Sequence, residues 1–187
     1  TAIMTIILLT VTLIGCQQSP ATFTSTLELT AQKTTLEEAS SIIGKTVPAP
    51  TYLPEGYEIQ EVYISNSDRK VTLLISDKEI EKELIDDRLR FTCKMTMAVI
   101  WYREGIPPRT PPPSSKPQEQ VTLDGGSGVL VERDNYYLLQ WYWFPSSGSS
   151  GWTWRPNPDE IGTLQLMLKT NNRLSKDELV KVANSVQ

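Results

Sequence analysis

Histidine is absent from all 187 residues. That absence removes Ser-His and Cys-His catalysis, the usual zinc sites and imidazole acid–base chemistry together. Cysteine is scarce, with only Cys16 and Cys93, so a disulfide-stapled fold is excluded. Positive charge is in the minority: 18 Lys and Arg face 22 Asp and Glu, for a net charge of −4. A nucleic-acid binder carries a basic patch, and no dense Lys/Arg cluster exists here, so nucleic acid is not an expected partner. No apolar run approaches the ~20 residues needed to cross a bilayer. No Lys or Arg precedes Lys33.

What is present begins with a short apolar run, Ile6 to Ile14, closing in Leu13-Ile14-Gly15-Cys16. A run of this length, with small Gly15 before the cysteine, reads as a secretory signal and not as a span. The four residues resemble the lipobox of bacterial lipoproteins. The resemblance implies cleavage before Cys16, acylation of its thiol and of the new N-terminus (palmitate-type chains), and attachment to the cell membrane on its extracytoplasmic face. The missing basic n-region and the start at Thr1 are expected of a chain truncated upstream. The alternative is that residues 3–14 form a buried strand or helix. Residues 17–33 are rich in Ser, Thr, Gln and Ala and bury too little to offset ordering entropy. The expected organisation is a signal peptide over 1–15, lipidated Cys16 with a flexible tether over 16–33, and one domain over 34–187. About 150 residues suit a single core. With Cys16 acylated, Cys93 has no partner in the chain and reads as a buried free thiol.

Within the domain, Thr35 to Glu38 fits a capping box. Leu36, Ala39, Ile42 and Ile43 share a helical face, and Gly44 is the expected C-terminal cap. Strands are expected over 57–65 and 70–76. The charged stretch 77–89, with Ile80 and Leu84 four apart, reads as a solvated helix or ordered loop; a calcium site is the sharper alternative, but the spacing lacks the EF-hand pattern. Residues 90–103 alternate strictly and predict one long strand. Six of the thirteen prolines fall in 106–117, a stiff surface loop that favours polyproline II. A short strand over 120–123 precedes Gly125-Gly126-Ser127-Gly128. No Lys-Ser/Thr follows these glycines, so they read as a bulge or turn and not as a phosphate loop. Residues 129–133 and 136–144 form a predicted hairpin across Asp134-Asn135, and 162–169 the last strand. Ser175 to Glu178 is a second capping box, with Leu174 and Leu179 as its staple. The fold class is therefore α+β: a curved antiparallel sheet of about seven strands in meander order, or a half-barrel, between a short N-terminal and a C-terminal helix.

Leu53-Pro54-Glu55-Gly56-Tyr57, the glycine cluster, the strand with Trp141, and the closing Leu174-Ser175-Lys176-Asp177-Glu178-Leu179 and Val182-Ala183-Asn184-Ser185-Val186 are similar to the domain-of-unknown-function family 4367. The resemblance covers roughly 35–187 and implies an extracytoplasmic or membrane-tethered domain. It carries no activity and no catalytic residues.

The aromatic strand and the loop after it supply the candidate binding residues Trp141, Trp143, Trp152 and Trp154. Aromatics in a Gly/Ser-rich loop can stack on sugars or apolar chains; the plain alternative is a lid over the sheet. Glu132, Asp134, Asp159 and Glu160 are the carboxylates available to a histidine-independent hydrolase, and Ser114-Ser115-Lys116 lacks any environment to desolvate its lysine. No catalytic residue, metal ligand or cofactor is assigned. The expected function is non-enzymatic binding of an apolar ligand, envelope component or protein partner by a lipid-anchored domain. The alternatives are an accessory sensor or regulator of a membrane signalling system of anti-sigma type, and a hydrolase.

Overall fold

The computed structural model describes residues 23–28, 30–65, 70–86, 88–101, 118–124, 126–133, 136–143, 164–171 and 174–187. Its strands are β1 (Phe23–Glu28), β2 (Gln32–Thr34), β3 (Glu58–Ser65), β4 (Lys70–Ser76), β5 (Glu81–Ile85), β6 (Arg88–Cys93), β7 (Met95–Trp101), β8 (Gln118–Leu123), β9 (Gly126–Glu132), β10 (Tyr136–Trp143) and β11 (Leu164–Asn171). The helices are α1 (Leu36–Ile43), between β2 and β3, and α2 (Lys176–Asn184), after β11. The protein is α+β, mostly antiparallel sheet with one helix early in the chain and one late.

Eight strands form one sheet in the order β2-β3-β4-β7-β11-β10-β9-β8, and β1-β6-β5 form a second. All pairings are antiparallel, and neither sheet closes into a barrel among the described residues. The large sheet is two meanders set side by side. They join where β11 lies against β7, with Leu168 opposite Met97.

Helix α1 starts and stops where its caps dictate. The Thr35 hydroxyl accepts from the Glu38 amide at 3.1 Å, and the Glu38 carboxylate accepts from the Thr35 amide at 3.2 Å. Gly44 adopts φ 73°, a left-handed conformation open to glycine, and its amide donates to the Ser40 carbonyl at 2.9 Å. Helix α2 uses only half of its expected box. Ser175 caps the Glu178 amide at 3.1 Å, while the Glu178 carboxylate accepts from the Tyr52 hydroxyl and from Lys181. Beyond α2, Gln187 and Ala49 exchange two backbone hydrogen bonds of 3.2 Å, fastening this end to the segment before β3.

The large sheet is covered on both faces. On one, Val71, Leu73 and Ile75 of β4 join Met95, Met97, Val99, Leu139, Trp141 and Leu168 beneath Ala39 of α1 and Leu179, Val182 and Ala183 of α2. On the other, Tyr63 and Leu74 pack with Leu27, Ile80, Phe91 and Cys93, so the small sheet forms the outer layer. Sandwiching explains why six consecutive residues of β4, Val71 to Ser76, are buried.

Four sequence expectations change here. Gly126-Ser127-Gly128, read as part of a bulge or turn, lie within β9 and pair with β8. Residues 23–28, 32 and 33, read as tether, lie in strands: β1 pairs along its whole length with β6, from Phe23 opposite Cys93 to Glu28 opposite Arg88. The charged stretch 77–89 is neither helix nor loop through most of its length but a hairpin, turned at Asp86 with φ 47°. Ile80, just before β5, is buried, whereas Leu84 within it is 62% exposed, so the two do not form the shared apolar face of a helix. The long strand expected over 90–103 breaks at Lys94, where the chain steps from the small sheet into the large one. The period of two runs through the break, with Phe91 and Cys93 in one cluster and Met95, Met97 and Val99 in the other. Alternation therefore hides the step.

Candidate functional site

Of the residues singled out from the sequence, Cys16, Trp152 and Trp154 lie outside the described residues, as do the acids Asp134, Asp159 and Glu160. Trp143 ends β10, its backbone paired with Leu164 of β11. Trp141 is fully buried in the helix-covered core. Its strand neighbour across the sheet is Gly128, where an added Cβ would lie 2.9 Å from Leu139 Cδ1 and 3.2 Å from the Gln140 carbonyl oxygen. The glycine leaves room for the neighbouring strands, since Leu139 and Gln140 of β10 and Leu123 of β8 fill the space a Cβ would take. Trp141 spends its whole surface on packing and offers none to a ligand.

Cys93 is a free, buried thiol. Burial pushes its pKa up to about 12, against smaller opposing contributions from the Met95 backbone and from Lys169. At neutral pH it is protonated and enclosed, the opposite of a nucleophilic cysteine. Lys169 is itself held below the usual lysine range by burial, and its ammonium lies 4.2 Å from the centre of the Tyr136 ring.

The polar groups gather where the two sheets meet. A bulge between Ile59 and Glu61 interrupts the β3–β4 register, and a bulge re-aims side chains. Here Glu61 Oε1 accepts from Lys33 of β2 and Lys82 of β5, both at 2.7 Å, and Oε2 accepts from the Tyr63 hydroxyl at 2.9 Å. Burial raises the Glu61 pKa, but the hydrogen bonds from Lys33, Lys82 and Tyr63 together outweigh it and hold the carboxyl below its usual range. Burial, reinforced by Glu61, pushes Tyr63 up to about 12. This one carboxylate ties the edge of the large sheet to the edge of the small one.

Beside it a cavity of about 180 Å³ opens between the sheets. Its polar lining comes from Thr26 of β1, Tyr63 and Ser65 of β3, Lys70 and Thr72 of β4, and Arg88 of β6; Leu27 and Ala31 are its apolar lining. Thr26 and Arg88 also border a shallower concavity of about 400 Å³ that includes Asp86 and Arg90. These groups can hold charge and donate hydrogen bonds. Sequence reading did not find them: Lys70 was only the first residue of a strand and Arg88 one charge among nine in 77–89. No local pattern brings residues 26, 70 and 88 together, because the small sheet must first fold over β3 and β4.

Among the described residues no group of three His, Cys, Asp or Glu side chains could hold a metal ion, and no helix is long and apolar enough to cross a membrane. No protein-family model, curated protein or solved structure matches this chain.

Proposed function

We propose that the chain is a lipid-anchored, extracytoplasmic binding domain, attached to a membrane through acylated Cys16 and acting by contact and not by catalysis. The observation that carries the anchor is the Ile6 to Ile14 run ending in Leu13-Ile14-Gly15-Cys16. A binding role is supported by the complete lack of histidine and by a Cys93 thiol whose pKa burial raises to about 12. The aromatic loop residues Trp152 and Trp154 are the apolar contact surface of this proposal, for an apolar ligand, an envelope component or a protein partner.

The test is metabolic labelling with a clickable fatty acid in the native host. The wild-type chain takes label and fractionates with membranes, and Cys16→Ser does neither. Label that persists on Cys16→Ser overturns the anchor. For the contact surface, Trp152→Ala with Trp154→Ala abolishes capture of the partner while leaving labelling intact; unchanged capture removes these residues from the proposal.

A further inference from the structure

We infer that the cavity between the two sheets binds a phosphate-type oxyanion, with Lys70 and Arg88 as its charged clamps. The inference does not rest on acylation of Cys16. Two cations from different sheets border one cavity open to solvent, together with the hydroxyl-bearing Thr26, Ser65 and Thr72. No carboxylate lines that space among the described residues. The nearest buried carboxylate, Glu61, is already committed to Lys33, Lys82 and Tyr63. Thr72 is 6% exposed, Lys70 is half-buried and Arg88 is exposed at the mouth. Two cations and three hydroxyls bordering one cavity suit a ligand rich in acceptors.

The donor set chooses among anions. A carboxylate offers two oxygens and suits an arginine fork alone. A tetrahedral oxyanion offers four, enough to take the Arg88 fork, the Lys70 point charge and a threonine hydroxyl together. Leu27 and Ala31 dry one wall, and a low local dielectric strengthens charge-assisted hydrogen bonds. Size sets a second limit. The cavity of about 180 Å³ holds the volume of roughly six waters. That is below the ≈ 300 Å³ lower range of pockets for drug-sized molecules. An inorganic phosphate or a phosphoester headgroup fits within it. Arg88 also borders the outer concavity with Arg90, so the remainder of a phosphoester can lie outside while its phosphate sits within.

The experiment is an amide NMR titration of the full chain carrying Cys16→Ser, with inorganic phosphate at constant ionic strength set by chloride. The expected result is saturable shifts at Thr26, Ser65, Thr72 and Arg88, with Leu179 and Val182 of α2 unmoved. Lys70→Gln and Arg88→Gln each weaken binding about tenfold, the usual weight of one charge-assisted hydrogen bond. Both residues lie at the surface end of their strands, and native amide spectra of the variants confirm that they fold. A parallel arm measures co-sedimentation with phosphatidylglycerol vesicles against phosphatidylcholine vesicles. Saturation by inorganic phosphate assigns a free ligand. Arg88-dependent sedimentation with phosphatidylglycerol, without saturation by inorganic phosphate, assigns a lipid headgroup. Absence of both, or binding that survives Lys70→Gln with Arg88→Gln, overturns the inference.

Discussion

The two faces of the large sheet are closed in different ways. Under α1 and α2 the contacts are apolar throughout, from Val71, Leu73 and Ile75 to Trp141 and the α2 residues Leu179, Val182 and Ala183. Under the small sheet a smaller apolar cluster is flanked by the Glu61 node and by the cavity that Lys70 and Arg88 border. Helices close a face with side chains alone, because their backbones are already satisfied. A second sheet leaves an open side wherever its strands diverge from the first, and polar groups collect there. The helix side is therefore an apolar core, and the small-sheet side gathers the charged and polar groups.

Adjacent residues of β4 give the sharpest way to break this comparison. Leu73 and Leu74 are both fully buried and point to opposite faces. Leu→Ala substitutions cost about 2–5 kcal/mol, less where the site can relax. Leu73→Ala is expected near the top of that range, measured by urea unfolding. Leu74→Ala is expected near the bottom, since its neighbourhood already borders a cavity. Equal losses, or the reverse order, would show that the two faces are packed alike. On the helix side, Gly128→Ala adds to the contrast. Its Cβ would meet Leu139 Cδ1 at 2.9 Å and the Gln140 backbone at 3.2 Å, for a loss of about 1–3 kcal/mol from overpacking.

The Glu61 node is the next test. Glu61→Gln leaves Lys33 and Lys82 sharing a neutral amide, for a loss of about 1–3 kcal/mol, between the surface and buried limits for ion pairs. The sign of its pH dependence follows from the lowered carboxyl. Its stabilisation is complete above the ordinary carboxylate value of 4.5 and is lost as pH falls below it and through the lowered folded value. Tyr63 works in the opposite sense. Its stabilisation is complete below 10 and is lost as pH rises from there through about 12. Unfolding curves across pH should lose part of the acid limb in Glu61→Gln and part of the alkaline limb in Tyr63→Phe. Unaltered limbs would mean that the node contributes nothing to folding.

How much of this was legible depends on range. The α+β class, the Thr35–Glu38 box, the Gly44 cap and the hairpin of β9 and β10 follow from neighbours in sequence, and the structure has them all. Strand β1 was not legible. Phe23 to Glu28 is a Thr/Ser-rich stretch whose strand partner among the described residues is β6, 60 to 70 residues away. The hairpin of β5 and β6 was hidden by Ile80 and Leu84, whose spacing imitates a helix. The step at Lys94 was hidden by unbroken alternation. The inter-sheet cavity inherits all three failures, since β1, β6 and the layer they form must be in place before Lys70 and Arg88 meet.

The smallest effect tests whether the small sheet moves independently. Cys93 sits on β6 with a pKa raised by burial to about 12, so at pH 8 roughly one thiol in ten thousand is ionised. With a disulfide reagent in excess, the native chain carrying Cys16→Ser should react slowly, and the urea-unfolded chain at the ordinary thiol rate. If the small sheet opens as its own unit, labelling of Cys93 will run faster than global unfolding allows. It will then accelerate further in Leu74→Ala but not in Leu73→Ala at matched urea. A labelling rate tied to global unfolding in both variants would make the two layers one cooperative unit. Phosphate, if it bridges Lys70 and Arg88 across the layers, slows the reaction, because a ligand that binds only the closed form raises the cost of opening.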